Sequence, residues 1–315
     1  MPALNELHSQ VDVVIPAHNA EKYIDATLES VVLQGSIVRS IIVVNDGSTD
    51  QTEDVIHAFS KKHPTSNIVY LKQANQGLAN ARNTGIRASN APYIALLDSD
   101  DVWLAQKLEK QLAIFHRSPP DSPLKVVYCG YQLINENSTL IDDEKLLLKP
   151  KLRGNIFSKL LNGNFVSSSG SGVLIKSEIF QEIGYFDESL NASEDWDMWI
   201  RIAKKYHYDY VNEPLVHIRV HSRNMQKDFS RMLASELAML NKFAQQGTHN
   251  YFLLWKIQTI LFQKKMLPEQ IDGFIISDPW VKTQLSGNQR RVFHLFLTVA
   301  DAIWRPLQNL KRYYL

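Results

Sequence analysis

The first hundred residues predict an α/β protein with a mostly parallel sheet and helices on both of its faces. Two observations carry this prediction: short β-branched runs alternate with segments of helical periodicity, and four of these runs are followed by polar residues. The chain has 315 residues, of which 44% are hydrophobic and 21% charged, an ordinary globular composition. This length suits one large domain with an appendage or two small domains.

The elements of the alternating region follow one another at short intervals. Apolar runs predict strands at 11–15, 40–45, 67–71 and 93–97. Apolar residues at positions 24, 28, 31 and 32 have helical spacing and predict a helix over 21–34. The segment "DGSTD" offers Thr49 or Asp50 as the cap of the next helix, and a further helix over 78–89 contains Gly85.

The alternation loosens after residue 120. Strands are predicted at 125–134 and 172–175, and an alternating segment at 216–224 ends in a break. A helix over 193–206 is predicted with Ser193 as its N-cap. From about residue 226 the pattern is mostly helical, so the predicted domains are 1–225 and a C-terminal helical region, 226–315.

Net charge and cysteine content argue against several classes of protein. The formal net charge of +1 does not indicate a nucleic-acid-binding protein. Cys129 is the single cysteine, which excludes an intramolecular disulfide, and a lone thiol is more often a core residue than a nucleophile. The segment "MPALNELHSQ" lacks the features of a signal peptide, and no apolar stretch reaches about 18 residues, so a cytoplasmic protein is expected.

The C-terminal region is basic, with 12 Lys and Arg against 6 Asp and Glu after residue 225. Its last segment, 290–315, is apolar with basic ends, but Asp301, Arg305 and Pro306 interrupt it and exclude a spanning helix. One interpretation is a helix that packs on the rest of the chain or on a second subunit, which would make a homodimer. The other is a peripheral helix on the inner face of an anionic membrane.

Polar residues follow four consecutive predicted strands. Asn19 comes after the first strand, Asp46 after the second, Asn75 and Gln76 after the third, and Asp98 after the fourth. The carboxyl ends of parallel strands meet at one edge of a sheet, and α/β proteins bind their ligands there. The sequence therefore predicts a binding site at this edge.

Three carboxylates crowd into four positions of the segment "IALLDSDDVW", at Asp98, Asp100 and Asp101. Like charges this close repel one another and raise the pKa of at least one carboxyl unless a positive group lies between them. Mg²⁺ or Mn²⁺, held by one or two carboxylates and by diphosphate oxygens, would supply that charge. The alternative is an exposed Asp-rich turn or a helix N-cap, with Trp103 and the following residues helical.

Five motifs occur in a fixed order along the chain: "VVIPAHNAEKYIDATLESVVLQ", "IIVVNDGSTD", "ANQGLANARNTGI", "YIALLDSDD" and "SEDWDMWIR". Together they resemble the family 2 glycosyltransferases, which have the GT-A fold, over roughly residues 10–225. One departure is Asn45, which stands where many members of the family carry a second aspartate in "DDGS".

The resemblance implies a nucleotide-sugar site at the predicted edge. Asp46 matches the residue that reads the base, and a carboxylate there needs a base with a ring N–H, which favours UDP-, dTDP- or GDP-sugars. The alternative for Asp46 is a turn residue. The segment from Asp98 resembles the DXD motif, with Asp98 near the ribose or sugar. The implied nucleotide-sugar contacts are Pro16, Ala17, Asn19, Asp46, Asn75, Gln76, Gly77, Arg82, Asp98, Ser99 and Asp100.

The resemblance also implies a divalent metal, Mn²⁺ or Mg²⁺, at the same edge. Asp100 is the first candidate ligand in the DXD motif and Asp101 the second. His221 lies where many GT-A enzymes carry a late histidine or basic residue that reaches the metal or the diphosphate, and neutral imidazole suits Mn²⁺ better than Mg²⁺. Arg82 and Lys72 could neutralise phosphate, although Arg82 is equally expected as a surface residue of its helix.

Glu194 and Asp195 match the family's ED motif on the acceptor side. Single displacement needs a base that takes the proton of the acceptor hydroxyl, and Asp195 is assigned this role, with Glu194 as the second candidate or an orienting group. The alternative is that acidic residues in a first helical turn complement the helix dipole without chemistry, as expected for Asp197. Trp196 and Trp199 are available for packing or for stacking on a sugar.

These assignments predict an inverting, metal-dependent glycosyltransferase that acts in the synthesis of surface polysaccharide, glycolipid or glycoconjugate. Its acceptor would be a carbohydrate or a lipid-linked molecule. A nucleotidyltransferase is one alternative, but it usually needs a Gly-rich phosphate loop, and "PAHNAEKY" after the first strand contains no glycine. A catalytically inactive binding protein with the same fold is the other alternative.

Overall fold

The computed structural model describes residues 9–141, 149–161, 163–168 and 170–222, together with residues 232, 235–236, 238–239 and 242–243. The chain divides into two units, Met1–Phe229 and Ser230–Leu315, and the elements below belong to the first. Most of the predicted helical region 226–315, including the segment 290–315, lies outside the described residues. Among the described residues, no helix combines the length and the apolar character needed to cross a bilayer.

An eight-stranded mixed sheet forms the centre of the first unit. In space its strands lie in the order β3-β2-β1-β4-β7-β6-β8-β5. Six strands run in one direction, and only β5 and β7 run against their neighbours, so the predicted mostly parallel sheet is confirmed. The strands are β1 (Val11–Ala17), β2 (Val38–Asp46), β3 (Ile68–Gln73), β4 (Tyr93–Leu96), β5 (Val102–Trp103), β6 (Leu124–Ile134), β7 (Leu174–Lys176) and β8 (His207–Arg219).

Helices cover both faces of this sheet, as predicted. Successive residues of a strand point to opposite faces. Val13 and Ile15 of β1 belong to a core that apolar side chains of α1, α2 and α4 complete. On the other face, Val14 of β1 lies against α3. The helices are α1 (Ile24–Val32), α2 (Thr52–Lys62), α3 (Leu78–Ala88), α4 (Lys107–Arg117), α5 (Phe157–Leu160), α6 (Ile179–Ile183) and α7 (Glu194–Ala203).

Gly85 allows α3 to pack closely on the sheet. A Cβ atom at this position would lie 2.4 Å from Cγ1 of Val14 and 3.3 Å from Cγ2 of Val44. Any side chain here would therefore push the helix away from β1 and β2. Because α3 begins directly after the polar segment that follows β3, its close packing also fixes the start of the helix at the predicted binding edge.

Three sequence expectations around helix starts differ from the structure. The N-cap of α2 is Gln51, which makes no side-chain capping hydrogen bond, so neither Thr49 nor Asp50 is the cap. Asp50, one position earlier, accepts hydrogen bonds at its Oδ1 from the backbone N–H and the hydroxyl of Thr52 at 3.0 and 2.5 Å. Trp103 belongs to β5, so the expectation that it is helical is wrong. Ser193 is at the N-cap of α7, but its φ of 57° is left-handed, and its side chain makes no capping hydrogen bond. A capping side chain normally needs an extended backbone.

β8 is much longer than the segment predicted from residue 216 onward. It begins at His207 and pairs in parallel with β6 over most of its length. The register between the two strands shifts near Gly130 and Pro214, where an irregularity interrupts the pairing. Pro214 lies at this irregularity, as expected for a residue that cannot donate to a ladder and is found in sheets mainly at edges and bulges.

Candidate active site

The residues after β1 and β2 are joined by hydrogen bonds at the carboxyl edge of the sheet. The backbone N–H of Asn19 donates to the hydroxyl of Ser48 at 3.0 Å, and the backbone N–H of Thr49 donates to Oδ1 of Asn19 at 2.8 Å. Pro16 and Ala17 are the last residues of β1 and lead directly into this junction. The predicted meeting of polar strand ends at one edge is therefore observed.

Asp46, the last residue of β2, is buried and held by backbone donors. Its Oδ1 accepts a hydrogen bond from the backbone N–H of Gln76 at 2.8 Å and another from the side-chain amide of Gln73 at 2.8 Å. Its Oδ2 accepts from the backbone N–H of Gly77 at 2.9 Å. Asn75 lies just before these residues and is exposed. Asp46 is therefore more than a turn residue: it ties the end of β2 to the start of α3.

Asn45 has a structural role that explains its departure from the family pattern. Its side-chain amide donates to the hydroxyl of Tyr70 at 2.9 Å, and its Oδ1 accepts from the backbone N–H of Ser48 at 3.0 Å. The side chain is fully buried. An ionised aspartate has only acceptor oxygens, so it could keep the contact with Tyr70 only by accepting the proton of the tyrosine hydroxyl.

The three carboxylates after β4 have different surroundings. Asp98 is partly exposed, and its Oδ1 accepts from Nη2 of Arg82 at 2.7 Å. Asp100 lies with Oδ2 2.8 Å from Nε2 of His221. Asp101 is buried, and both of its oxygens accept hydrogen bonds from the protein, Oδ2 from the hydroxyl of Ser171 at 2.5 Å and Oδ1 from a backbone N–H at 2.9 Å.

Burial and neighbouring negative charge raise the pKa values of Asp100 and Asp101. Burial is the main cause for Asp100, followed by the charge of Asp98, while the hydrogen bond to His221 opposes the rise. Burial and the charges of Asp100 and Asp98 raise the pKa of Asp101 well above its usual range. Several carboxylates held this close together are the condition under which a divalent cation would bind favourably.

The pair Asp100 and His221 fits a small divalent cation. Their facing atoms are 2.8 Å apart, and two adjacent ligands at about 2.1 Å from an octahedral cation are themselves separated by about 3 Å. Among the described residues, no group of three or more His, Cys, Asp or Glu side chains is arranged to hold a metal ion alone. Ligation by two side chains with diphosphate oxygens is the arrangement that Mg²⁺ typically adopts.

Arg82 is buried, so the expectation of a surface helix residue is wrong. Its side chain is 2% exposed and connects two carboxylates: Nη2 donates to Asp98, and Nη1 donates to Oε1 of Glu194 at 2.5 Å. Burial alone would lower the pKa of Arg82, but the charges of Asp98, Glu194 and Asp195 outweigh burial and raise it. A Cβ atom at Gly170 would lie 2.7 Å from Nη2 of Arg82, so the loop around Gly170 encloses this ion pair.

Glu194 and Asp195 begin α7 but differ in exposure. Glu194 is buried, and burial raises the pKa of its carboxyl despite the opposing charge of Arg82. Asp195 is only partly buried, and its Oδ2 lies 3.5 Å from the side-chain amide of Asn164. Of the two, Asp195 is the carboxylate that an acceptor could reach.

The remaining residues of this helix pack in the interior. Asp197 accepts from Nε of Arg201 at 2.7 Å, one turn later, as expected for a structural helix residue. Trp196 donates from Nε1 to the backbone carbonyl of Leu160 at 2.7 Å, and Trp199 is fully buried. Both tryptophans therefore serve packing, and neither is placed to stack on an exposed sugar. Lys72, the other phosphate candidate, is exposed and pairs with Glu53 at 2.5 Å.

Comparison with known proteins decides the family. Residues 12–184 match the family described as "Glycosyl transferase family 2". The chain belongs to this family. It is 33% identical over 255 residues to RP339, an uncharacterized glycosyltransferase of Rickettsia prowazekii (strain Madrid E). The aligned region covers 80% of this chain and 77% of RP339. The resemblance of the sequence to this family of glycosyltransferases is therefore confirmed, and a nucleotidyltransferase is not supported.

A relative of stated activity and a solved structure extend the comparison. The chain is 30% identical over 203 residues to UDP-Glc:alpha-D-GlcNAc-diphosphoundecaprenol beta-1,3-glucosyltransferase WfgD of Escherichia coli, covering 64% of this chain and 73% of that enzyme. The mannosyltransferase PcManGT of Pyrobaculum calidifontis, solved with GDP-Man and Mn²⁺, matches with a TM-score of 0.60 and 17% identity. That match covers 93% of this chain and 87% of PcManGT, and it confirms the GT-A fold.

Several residues around the glycosyltransferase site were not singled out by the sequence. Thr27 of α1 donates from its hydroxyl to the backbone carbonyls of Ser99 and Asp101 at 3.0 and 2.8 Å, which anchors the aspartate loop. Ser171 bonds Asp101, and Arg219 bonds the same loop. Only Arg219 had a sequence signal, because it lies two residues before His221 at the end of a strand.

Proposed function

We propose that this glycosyltransferase transfers a sugar from a UDP-, dTDP- or GDP-sugar to an acceptor hydroxyl with inversion at the anomeric carbon. One observation carries the proposal: the buried guanidinium of Arg82 joins Asp98, at the donor side, to Glu194, which stands beside the accessible Asp195. The residues proposed to bind the sugar donor and the acceptor therefore lie next to each other around one cation. α3 carries Arg82, and the loop after β4 carries Asp98.

Asp46 is proposed to read the base of the nucleotide. Backbone donors fix its carboxylate from the side of Gln76 and Gly77, and each carboxylate oxygen can accept more than one hydrogen bond. A ring N–H of uracil, thymine or guanine would complete this set of donors. Asn19 and Asn75 flank the same corner and are proposed as further nucleotide contacts.

A divalent metal is proposed at Asp100 and His221. When bound, Mn²⁺ or Mg²⁺ would neutralise the charge that develops on the departing nucleoside diphosphate. Asp101 is proposed as a structural residue rather than a ligand, because Ser171 and a backbone N–H already use both of its oxygens. Asp98 would contact the ribose or sugar from the outer side of Arg82, with the backbone of Ser99 beside it.

Asp195 is proposed as the base. It would take the proton of the acceptor hydroxyl while that oxygen forms a bond to the anomeric carbon, and the bond to the diphosphate oxygen would break on the opposite face. Glu194 is less suited to this task because it is buried and paired with Arg82. Its proposed role is to orient the start of α7 so that Asp195 faces the acceptor.

The metal assignment is tested by titrating Mn²⁺ and UDP, together and separately, into the wild-type protein and Asp100→Asn by calorimetry. Asp100→Asn should fold normally and bind UDP in EDTA like the wild type, but Mn²⁺ should no longer strengthen UDP binding. Equal Mn²⁺ dependence in both proteins would overturn the assignment. GDP and dTDP in place of UDP test which nucleotide is preferred.

The acceptor is proposed to be a carbohydrate or a lipid-linked saccharide in the synthesis of a surface polysaccharide, glycolipid or glycoconjugate. WfgD, whose printed name includes a diphosphoundecaprenol-linked acceptor, supports this class. A lipid-linked acceptor would favour the second interpretation of the segment 290–315, a helix on an anionic membrane. Co-sedimentation of the full chain with anionic and neutral vesicles at low salt tests it, and a chain that stays in the supernatant favours internal packing or a homodimer.

A further inference from the structure

Arg219, the last residue of β8, is bonded to the aspartate loop at two points. Its side chain is 1% exposed. Its backbone N–H donates to Oδ1 of Asp101 at 2.9 Å, and its Nε donates to the backbone carbonyl of Asp100 at 2.8 Å. The strand end that carries His221 is therefore fastened to the loop that carries Asp100.

The outer end of the Arg219 guanidinium is anchored on a different part of the chain. Nη1 donates to the backbone carbonyls of Asn135 and Glu136 at 3.1 and 3.3 Å and to the hydroxyl of Ser138 at 2.9 Å. These residues form the turn that follows β6. Arg219 thus connects the aspartate loop to a turn more than 30 residues further along the chain.

An aromatic ring completes this arrangement. The guanidinium of Arg219 lies 4.7 Å from the ring centroid of Tyr23, at the start of α1. The same ring stacks on His221, with centroids 5.2 Å apart and planes inclined by 27°. The imidazole of His221 is therefore held by Asp100 at one edge and by the Tyr23 ring on one face. Arg219 contacts both Asp100 and Tyr23.

We propose that Arg219 is a positioning residue that holds Asp100 and His221 at the separation a divalent cation requires, and so sets the metal affinity of the enzyme. The proposal rests on the metal assignment made above. An arginine is needed because a planar fork donates in three directions from a fixed frame. A lysine would keep the charge, but it could not bond the Asp100 carbonyl and the turn at the same time.

Arg219→Lys tests this proposal, with Arg201→Lys as the matched control. Arg201, like Arg219, bonds backbone carbonyls through its guanidinium, but it does so away from the aspartates: Nε donates to Asp197, Nη1 to the carbonyl of Ile183 and Nη2 to the carbonyl of Tyr185. Mn²⁺ binding in the presence of UDP is followed by the loss of the free-ion EPR signal, and UDP binding in EDTA by calorimetry.

Arg219→Lys should bind Mn²⁺ at least tenfold more weakly than the wild type and broaden the EPR spectrum of the bound ion, with UDP binding in EDTA unchanged. Arg201→Lys should lower the melting temperature but keep wild-type Mn²⁺ affinity. Mn²⁺ affinity within twofold of wild type in Arg219→Lys would overturn the proposal. If that variant does not fold, Ser138→Ala, in an exposed turn, should still weaken Mn²⁺ binding two- to threefold, and wild-type affinity there overturns the proposal equally.

The same titrations separate this proposal from the function on which it rests. A wild-type protein that binds UDP but no Mn²⁺ would overturn the metal assignment and the role of Arg219 while leaving the nucleotide site in place. A wild-type protein that binds none of UDP, dTDP or GDP would overturn the donor proposal itself. Wild-type binding of both, with an unaffected Arg219→Lys, would contradict only the positioning role.

Discussion

Two corners of the site are built in different ways. The first, called the nucleoside corner, consists of Asp46, Gln73, Gln76 and Gly77. Asp46 is its one charged group, and neutral donors, most of them backbone N–H groups, surround it within 32 consecutive positions of the chain. The second, called the transfer corner, contains six ionisable groups between positions 82 and 221: Arg82, Asp98, Asp100, Glu194, Asp195 and His221.

This difference determines how each corner responds to substitution. Backbone N–H donors persist whatever the side chains are, so the nucleoside corner depends on little beyond Asp46 itself. In the transfer corner Arg82 compensates Asp98 and Glu194, and removing the arginine leaves a buried carboxylate without compensation. A pre-formed pocket is thus expected on one side and a mutually dependent network on the other.

The largest effect is expected at Arg82. Arg82→Met should lower the free energy of unfolding by about 3–5 kcal/mol, because it leaves the buried Glu194 without its cation. Chemical denaturation measures the change. The double variant Arg82→Met, Glu194→Gln should recover part of the loss, since the uncompensated charge is then gone.

Arg87, five residues further along α3, is the matched control for this experiment. Its side chain is 49% exposed and lies 3.5 Å from Glu188. Arg87→Met should change the free energy of unfolding by less than about 1 kcal/mol. Similar losses for the two arginines would show that the charge network of the transfer corner is not what holds this region together.

A second buried cation sharpens the comparison, because its described contacts are neutral. Lys107 donates to Oε1 of Gln111 at 2.9 Å and lies 4.0 Å from the ring centroid of Trp103. Burial lowers the pKa of Lys107 from 10.5 to about 8. The folded protein therefore binds this proton less tightly than the unfolded chain does. Below pH 8 both states are protonated, and the charged lysine lowers the free energy of unfolding by its full amount.

Lys107→Met should therefore be more stable than the wild type at pH 7, by roughly 3 kcal/mol. The difference in free energy of unfolding between the two proteins should disappear as the pH rises from about 8 to 10.5, since the lysine of the unfolded chain then also loses its proton. Urea denaturation of both proteins across this pH range checks the expectation. A gap that stays constant with pH would show that the substitution acts through packing alone.

Substitution of Asp195, the proposed base, should affect chemistry without affecting donor binding. Asp195→Asn should lower the transfer rate by a factor on the order of 10², while the affinity for the nucleotide stays at the wild-type value. Rate measurements and calorimetry on the same preparations separate the two effects. NMR of the product should show inversion at the anomeric carbon, and a retained configuration would rule out single displacement.

The smallest effect is expected in the nucleoside corner. Asp46→Asn should weaken UDP binding in EDTA about tenfold and lower the free energy of unfolding by about 1–2 kcal/mol, because an amide N–H would face a backbone donor. Asp50→Asn, in the same loop but bonded to Thr52, should leave UDP affinity unchanged. Loss of UDP binding in both variants would indicate that the loop rather than the Asp46 carboxylate reads the base.

The sequence predicted the edge of the sheet at which the polar strand ends meet, because that prediction needs only local patterns. Strand runs, the polar residues after them and the close motifs around Asp46 and Asp98 are all readable within short windows. Burial of Arg82 could not be read in this way, because the partner that neutralises it, Glu194, lies 112 positions away. The roles of Asp100 and Asp101 could not be separated either, since adjacent residues differ only in what tertiary partners, such as Ser171, reach them.

The wide separation of the transfer corner along the chain has a consequence for the newly made protein. Translation delivers every residue of the nucleoside corner before position 78, but the imidazole that faces Asp100 emerges only after about 220 residues have been joined. A chain still on the ribosome therefore has the residues proposed to recognise a nucleotide but not the full set proposed to act on its diphosphate. The proposed site is complete only once the last strand of the sheet has been added.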